Sequence, residues 1–412
     1  MEPFIIPELP TLKDIDIREK KVFMRIDINV PIDPETGEII DDRRIRVHSK
    51  YLREIVEKYN PALVLGSHQG RPGEPDFTTL EKHRDLLAKY TGFDIKFIDD
   101  VIGPRAKDEI QRLKPGEVLL LDNLRLVSEE VIEAIPEKQS YTIMVKRLAP
   151  LFDYYVNDAF ATAHRSQPSI VGFPLVLPSA IGPIFEKELD ALRKAFTNLD
   201  QPRVFVLGGV KAHDMLRVIE NLVRYKLADR ILTTGVLAQL FLVAKGAKIG
   251  HRNMRLLEEK GSLPLIHRAR TLLLKGAPIE TPIDFKTSIN GNVKNEYLGR
   301  IEGEIKDIGE ETIRIYCEFM KEARVIIMRG PAGVVEEPPF REGTIRILDA
   351  AFKSNAFVLI AGGHLSSMVR DDLLRDNVHV STAGNAILLY LSGEQLPAIK
   401  ALEISARIFY QH

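Results

Sequence analysis

The chain has 412 residues, of which 45% are apolar and 28% are charged, as is usual for a globular protein. At ~100–200 residues per domain, this length predicts two or three domains. Lysine and arginine number 57 against 58 for aspartate and glutamate. The resulting net charge of −1 argues against sequence-independent binding to nucleic acid or to a membrane surface.

Cysteine content and hydropathy indicate the compartment. Cys317 is the only cysteine, which excludes an intrachain disulfide and a cysteine-based zinc site and favours a reducing environment. No run of apolar residues approaches the ~18 needed to cross a bilayer. The first residues are acidic and interrupted by proline, unlike a signal peptide. We therefore predict a cytoplasmic protein.

Predicted strands and helices alternate along the chain. Each short apolar, β-branched run is followed by a turn and then by an amphipathic stretch. The predicted strands are 22–28, 62–65, 118–121, 154–156, 204–207, 230–232, 325–328 and 357–360. The predicted helices include 45–59, 79–90, 216–225, 310–322 and 343–352. This alternation is typical of parallel α/β proteins, and near-continuous apolar strands fit sheets that are covered on both faces.

A proline- and glycine-rich stretch, 172–183, lies between the two halves and leads into a polar helix, 184–196. A helix that is polar over most of its circumference can bridge two domains. We therefore predict two doubly wound parallel-sheet (Rossmann-like) α/β domains that face a cleft and are joined by a hinge helix. The predicted bounds are 1–175 for the first domain, 176–198 for the hinge and interdomain helix, and 199–395 for the second domain.

Basic residues recur after the strands of the first half, where ligands of parallel sheets bind. They are Arg44, His68 with Arg71, Arg125, and His164 with Arg165. Arginine suits bidentate binding of phosphate or carboxylate, so four such sites at one topological position predict a small, multiply charged anion. Any one of these arginines alone would be read as a solvated surface charge, and either histidine could be structural. Asp27 and Asn29 could cap a turn or bind substrate hydroxyls.

Glycine turns follow the strands of the second half. Gly208 and Gly209 precede Lys211, and further glycine turns lie at 330–333, 362–363 and 384. Glycine lets the backbone approach a ligand, and a helix N-terminus favours anions, so these turns suggest a nucleotide whose phosphate Lys211 could reach. Ordinary tight turns between strands and helices are the alternative. The spacing does not match the Walker phosphate loop.

Motifs along most of the chain resemble those of phosphoglycerate kinase, in its archaeal form. In chain order they are Arg25-x-Asp27-x-Asn29-Val30-Pro31, Ser67-His68-x-Gly70-Arg71-Pro72, Glu117 to Leu121 with Asn123-Leu124-Arg125, Asn157-Asp158-Ala159-Phe160-x-Thr162-Ala163-His164-Arg165, Glu186-Lys187-Glu188-Leu189, Gly208-Gly209-x-Lys211, Asp307-Ile308-Gly309, Gly330-Pro331-x-Gly333-Val334, Phe340-x-x-Gly343-Thr344 and Leu396-Pro397. The matches run from about residue 21 to about residue 397 in family order.

The resemblance implies reversible phosphoryl transfer between 1,3-bisphosphoglycerate plus ADP and 3-phosphoglycerate plus ATP, in glycolysis and gluconeogenesis. It implies a 3-phosphoglycerate-binding first domain, a nucleotide-binding second domain, and a segment 396–412 that returns to the first. The implied 3-phosphoglycerate-binding residues are Asp27, Asn29, Arg44, His68, Arg71, Arg125 and Arg165. The implied nucleotide-binding residues are Gly208, Lys211, Glu336, Gly362, Gly363, His364 and Leu365. Arg44 and Lys211 would act in catalysis on Mg-ADP or Mg-ATP.

Several positions depart from the family pattern, and most lie in the nucleotide half. They are Gln167, Met215, Met328 with Arg329, His364, and Ala383-Gly384-Asn385. His364 stands where relatives carry a metal-binding aspartate, and neutral imidazole is a poor magnesium ligand. We therefore predict that magnesium arrives on the nucleotide, held by phosphates and water, with no protein ligand assigned. Arg329 is a candidate for the positive charge that a lysine at position 215 would give.

Two other function classes are considered. One is a two-domain protein that closes on an anion without chemistry, in which Lys211 would have no role. The other is a dinucleotide dehydrogenase, which lacks support because no GxGxxG follows a strand. The predicted partners are small molecules, with no nucleic acid and no membrane, and the chain is a monomer or a homodimer.

Overall fold

The computed structural model describes residues 6–196, 201–369, 371–381 and 383–410. Within these ranges the chain divides into two compact units. The N-terminal unit contains Ile6–Asp190 together with residues 395–410, and the C-terminal unit contains the described residues of Ala191–Glu394.

The N-terminal unit is built on a six-stranded parallel sheet. Its strands are β1 (Lys21–Arg25), β2 (Ala62–Gly66), β3 (Ile95–Ile98), β4 (Val118–Leu121), β5 (Tyr154–Asn157) and β6 (Ser179–Ile181), in the order β3-β4-β2-β1-β5-β6. Its helices are α1 (Arg43–Tyr59), α2 (Glu81–Thr91), α3 (Pro104–Arg112), α4 (Pro136–Gln139), α5 (Ile143–Leu148) and the first part of α6 (Pro183–Phe196). Strands β2 and β4 are buried along their whole length, because helices cover both faces of the sheet.

The C-terminal unit contains a second six-stranded parallel sheet and a small antiparallel one. The strands are β7 (Arg203–Leu207), β8 (Arg230–Thr233), β9 (Ile279–Glu280), β10 (Asp284–Ile289), β11 (Asn292–Tyr297), β12 (Glu304–Ile308), β13 (Val325–Arg329), β14 (Phe357–Ala361) and β15 (Val378–Ser381). The parallel order is β15-β14-β13-β7-β8-β9, and β11-β10-β12 form the antiparallel sheet. The helices are α7 (Ala212–Arg224), α8 (Gly235–Ala244), α9 (His251–Glu259), α10 (Ile266–Leu274), α11 (Glu310–Lys321), α12 (Glu342–Lys353), α13 (Gly363–Ser366) and α14 (Gly384–Leu391).

These two sheets confirm the predicted class of two parallel-sheet α/β domains, and the eight predicted strands correspond to β1, β2, β4, β5, β7, β8, β13 and β14. The first strand is shorter than predicted and ends at Arg25 instead of at residue 28. The Ile26 N–H still donates to the Gly66 carbonyl of β2, but the buried N–H groups of Asp27, Ile28 and Val30 bond to side chains instead of to a neighbouring strand. This irregular segment carries the predicted substrate residues Asp27 and Asn29.

The proline- and glycine-rich stretch 172–183 is largely buried in the N-terminal unit. Its residues Ser179–Ile181 form β6, which pairs with β5, and the division between the units falls later, at Asp190 and Ala191 within α6. Residues 197 and 198 of the predicted hinge lie outside the described residues.

A last helix, α15 (Pro397–Phe409), packs in the N-terminal unit. Its Ala398 N–H donates to the Ala163 carbonyl (3.1 Å), and its Ser405 hydroxyl donates to the Leu177 carbonyl (3.2 Å). Among the helices that the structure describes, none has the length and hydropathy required to traverse a lipid bilayer.

Candidate active site

The segment after β1 is held in an irregular path by side chains from other elements. The backbone N–H of Asp27 donates to His48 Nε2 (3.2 Å), that of Ile28 to Ser67 Oγ (3.1 Å), and that of Val30 to Gln69 Oε1 (3.0 Å). A buried backbone N–H must find an acceptor, and here each finds one outside the strand ladder. These hydrogen bonds fix Asp27 and Asn29 at the carboxyl edge of the sheet.

Asp27 and Arg44 form an ion pair at this edge. Arg44 lies in the first turn of α1, and its guanidinium donates to Asp27 Oδ2 (2.7 Å) and to the Asn29 carbonyl (3.1 Å). Burial alone would raise the pKa of Asp27, but Arg44, His68, Arg25 and His48 together lower it to about 2. Asp27 is therefore a carboxylate at neutral pH, and it fixes the direction in which Arg44 points.

Asn29 connects this pair to the loop after β2. Its side-chain oxygen accepts from the Gly70 N–H (3.0 Å), and the Gly70 carbonyl accepts from Arg125, which follows β4. The predicted residues Asp27, Asn29, Arg44 and Arg125 thus belong to one hydrogen-bonded network that also includes Gly70.

Arg25 lies at the centre of the basic cluster although the sequence assigned it no role. It is 1% exposed, its Nε donates to Ser169 Oγ (3.0 Å), and its second terminal nitrogen lies 3.0 Å from His68 Nδ1. Ser169 in turn bonds to the buried carboxyl of Glu130. Arg25 therefore orients His68, and the alternation of polar residues at the end of β1 was the signal that could have found it.

Positive charge is concentrated in this cluster, which we define as Arg25, His68, Arg71, Arg125, His164 and Arg165. Burial, reinforced by Arg165 and Arg25, lowers the pKa of Arg125 to about 10. Burial and the neighbouring guanidinium groups also lower the pKa of Arg165, and those of His68 and His164. Cations that repel one another at a sheet edge favour binding of an anion, which would relieve that repulsion.

The predicted residues of this site therefore lie at one edge of one sheet. Arg71 is exposed, but it acts electrostatically on both Arg125 and Arg165. His164, which the sequence left between a structural and a binding role, is half-buried beside Arg165.

A buried pair next to the Asp27 backbone, His48 and Asp158, was not predicted. His48 accepts the Asp27 N–H through Nε2, so its Nδ1 carries the proton and faces Asp158 Oδ2 at 3.7 Å. The other oxygen of Asp158 accepts the N–H groups of Ile184 (2.7 Å) and Phe185 (3.0 Å). Asp158 therefore caps α6, and His48 links that cap to the backbone of Asp27.

His48→Gln is expected to make stability less sensitive to acid. Burial lowers the pKa of His48 from 6.5 to about 4 against the pull of Asp27, so its contribution is complete above pH 6.5 and is lost as the pH falls toward 4. A shift of that size corresponds to on the order of 3 kcal/mol. Glutamine can still accept the Asp27 N–H but does not titrate.

The measurement is the free energy of unfolding in urea at about pH 7.5 and about pH 4.5, for the unsubstituted protein and for His48→Gln. Asp158, whose pKa burial raises to about 7, is present in both and acts in the opposite direction, so it largely cancels in the comparison. If the unsubstituted protein and the variant lose the same amount of stability on acidification, the acid-dependent loss does not come from His48.

The glycine turns of the C-terminal unit pack directly on one another. The Gly208 N–H donates to the Arg329 carbonyl (2.8 Å), and the Gly209 N–H donates to the Pro331 carbonyl (3.1 Å). The turn after β7 therefore packs against the turn after β13, and these two strands are neighbours in the sheet. This close packing forms the floor of the cavity beyond the carboxyl ends of the strands.

That cavity has a volume of about 460 Å³ and lies wholly within the C-terminal unit. The predicted nucleotide residues all line it, namely Gly208, Lys211, Glu336, Gly362, Gly363, His364 and Leu365. Lys211 directly precedes α7 and is exposed, as is Glu336. Thr382, in the last glycine turn, lies outside the described residues.

His364 does not cap the helix that carries it. Helix α13 is preceded by Gly362 as its N-cap residue, without a side-chain cap, and His364 lies exposed in its first turn. His364 lines the cavity, and its binding role stays a prediction.

The cavity offers few ligands for a metal. In the parts of the chain that the structure describes, no three His, Cys, Asp or Glu side chains are grouped to hold an ion. The buried Asp307 already accepts the N–H groups of Gly343 (2.8 Å) and Ile308 (2.9 Å), and burial raises its pKa to about 7. The predicted arrival of magnesium on the nucleotide stays a prediction.

Known proteins of one family are similar to this chain over nearly its whole length. The family model described as phosphoglycerate kinase matches residues 12–394. A phosphoglycerate kinase from Saccharolobus solfataricus is 54% identical over 399 residues, which cover 96% of this chain and 97% of the relative. One from Sulfurisphaera tokodaii is 52% identical over 400 residues, which cover 96% of each.

Solved structures are similar as well. Phosphoglycerate kinase from Pyrococcus horikoshii superposes with a TM-score of 0.88 at 38% identity, covering 97% of this chain and all of the other. The enzyme from Coxiella burnetii gives 0.79 at 29% identity, covering 96% and 99%. Because the family model spans residues 12–394 and these relatives align over nearly their whole length, the chain belongs to the phosphoglycerate kinase family.

Proposed function

We propose that this kinase catalyses reversible phosphoryl transfer between 1,3-bisphosphoglycerate plus ADP and 3-phosphoglycerate plus ATP. The observation that carries the proposal is the cluster of mutually repelling cations after β1, β2, β4 and β5, in a unit separate from the glycine-lined cavity. One site suits a small anion with several charges, and the other suits a nucleotide. Membership of the phosphoglycerate kinase family supports the pairing of these two substrates.

In the N-terminal unit, we assign the phosphate of 3-phosphoglycerate to His68, Arg71, Arg125 and Arg165. Asp27 and Asn29 would receive the glycerate hydroxyl and carboxylate groups, because they lie on the same network at the edge of the sheet. The ionised state of Asp27 makes it an acceptor only, which suits a hydroxyl donor.

In the C-terminal unit, we assign the nucleotide phosphates to Lys211 and to the turn formed by Gly362, Gly363, His364 and Leu365. Glu336 would bind the ribose, and Gly208 lets the backbone approach the ligand. The nucleotide enters as its magnesium complex, and the ion neutralises phosphate charge.

Phosphoryl transfer requires alignment of the two substrates and neutralisation of charge on the transferring group, so no residue acts as a nucleophile. We assign the charge neutralisation to Arg44 and Lys211, one from each unit. The substrates must be brought together with water excluded, and we predict that closure of the two domains about the hinge helix achieves this. That closure and the cytoplasmic location remain predictions.

The experiment is a coupled assay of ATP formation from ADP and 1,3-bisphosphoglycerate by the purified chain. Turnover that depends on both substrates supports the proposal. Binding of 3-phosphoglycerate without any turnover would favour the alternative of a non-catalytic anion-binding protein, which the family match does not favour.

Arg125→Ala and Glu336→Ala are expected to separate the two ligands. Arg125→Ala removes a buried cation from the anion edge, and we expect 3-phosphoglycerate to bind at least about 10-fold more weakly, with ADP affinity changed less than about twofold. Glu336→Ala should do the reverse, with a loss of several-fold for ADP. Each variant is the control for the other in calorimetric titrations. Equal losses of both ligands in either variant would contradict the assignment.

A further inference from the structure

Arg329 lines the cavity of the C-terminal unit, although the sequence singled it out only as a departure from the family pattern. It is the last residue of β13, where it is in register with Leu207 of β7 and Ala361 of β14. Glycine turns follow both neighbouring strands, and Arg329 lines the cavity between them. Its side chain is therefore at the carboxyl edge, in the middle of the sheet.

The guanidinium is fixed by one backbone contact and by close glycines. One terminal nitrogen donates to the Gly384 carbonyl (2.7 Å) at the start of α14. A Cβ added at Gly384 would lie 3.0 Å from that nitrogen, and one added at Gly362 would lie 3.4 Å from it. Glycine at these two positions keeps side-chain atoms away from the guanidinium, which lies in the wall of the cavity.

Arg329 forms no ion pair with a carboxylate within the described part of the chain, although Asp214 acts on it electrostatically. Burial lowers the pKa of Arg329, and Asp214 opposes that shift without forming an ion pair with it. Three lysine or arginine side chains line the cavity, and Lys306 is already paired with Glu337 (2.8 Å). Lys211 and Arg329 thus remain as two cations without a carboxylate partner among the described residues, and an unpaired, partly desolvated cation favours an anionic ligand.

We propose that Arg329 binds the phosphate chain of the nucleotide, together with Lys211. This inference rests on the proposed function, since it assigns a further residue to the same nucleotide site. A guanidinium presents several N–H groups in a planar fork, so one can hold the Gly384 carbonyl while others meet phosphate oxygens. Met215, one turn into α7, lines the same cavity with an apolar side chain, so Arg329 supplies the second positive charge.

A structural role is the competing explanation, because Arg329 also ties β13 to α14. Arg329→Gln separates the two, since a glutamine amide can still donate to the Gly384 carbonyl but carries no charge. Arg203→Gln is the matched control. Arg203 begins β7, the strand beside β13, and its substitution removes the same charge from the opposite end of the same sheet.

Calorimetric titration of the full chain with ADP and with adenosine is the test. We expect Arg329→Gln to weaken ADP binding about 10-fold or more, as for a lost charge-assisted hydrogen bond, and to change adenosine affinity less than about twofold. Arg329→Lys should recover part of the ADP affinity, because the charge returns without the fork. Arg203→Gln should leave both affinities unchanged.

Unchanged ADP affinity in Arg329→Gln would overturn the inference, as would equal weakening of ADP and adenosine. Either result would leave the proposed function intact so long as the unsubstituted chain binds ADP. If the unsubstituted chain does not bind ADP at all, the proposed function and the inference both fail.

Discussion

Arg44→Ala is expected to lower kcat by about a thousandfold, the range measured for arginines that stabilise a transferring phosphoryl group. The affinity for 3-phosphoglycerate should fall much less. The Arg44 guanidinium donates to Asp27 and to the Asn29 carbonyl, so these bonds hold it at the carboxyl edge of the sheet before any ligand binds. A charge that is already in place costs no reorganisation when negative charge is redistributed in the transition state.

Part of the loss will come through Asp27, whose carboxylate loses its ion-pair partner when Arg44 is removed. For this reason kcat and the dissociation constant of 3-phosphoglycerate must be measured separately. Arg43→Ala is the matched control, because Arg43 is the adjacent residue of α1 but is exposed and paired with Asp41. A loss confined to substrate affinity, with kcat intact, would make Arg44 a binding residue only.

Gly330→Ala is expected to damage the cavity of the C-terminal unit, because neither the backbone conformation nor the neighbouring turn leaves room for a side chain. Gly330 has a φ of +77°, and a Cβ there would lie 2.3 Å from the Gly208 carbonyl oxygen and 2.6 Å from its carbon. The atoms it meets are backbone, so the turn after β7 must move. We expect a loss of about 3 kcal/mol or more in the free energy of unfolding, and at least about a 10-fold loss of ADP affinity.

Gly276→Ala is the control for backbone strain alone. Gly276 has a similar φ of +74°, but an added Cβ there has no atom within 4 Å. It should cost only about 1 kcal/mol and leave ADP binding unchanged. Urea unfolding and calorimetry compare the two variants. Equal effects of both substitutions would show that the packing of the two turns is not what shapes the cavity.

The sheet edges could be predicted from the sequence because apolar strand runs are short and sharply bounded. The carboxyl ends of parallel strands lie at one edge, so residues following different strands had to come together. The antiparallel strands β10 to β12 were not predicted. Strand β11 is mostly exposed and has no apolar alternation, so periodicity gives no signal there.

The site residues that could not be recognised from the sequence are mainly buried polar ones. His48 lies on the buried face of α1, where a histidine in an apolar stripe is indistinguishable from a core residue. Its role depends on Asp158, which tertiary structure alone brings to it. Arg25 was visible in the alternation with Asp27 and Asn29, but its complete burial beside Ser169 was not. In the same way, proline and glycine content located the turns of 172–183 but did not reveal that they are packed in the N-terminal unit.

Because α15 belongs to the N-terminal unit, that unit is the last to have all of its residues synthesised. Residues 6–190 leave the ribosome first, yet their unit receives α15 only after the whole C-terminal unit has been synthesised. The Ala398 N–H supports the Ala163 carbonyl, directly before His164 and Arg165 of the basic cluster. All described residues of the glycine-lined cavity are therefore synthesised before the segment of the basic cluster that begins at His164 gains this hydrogen bond from α15.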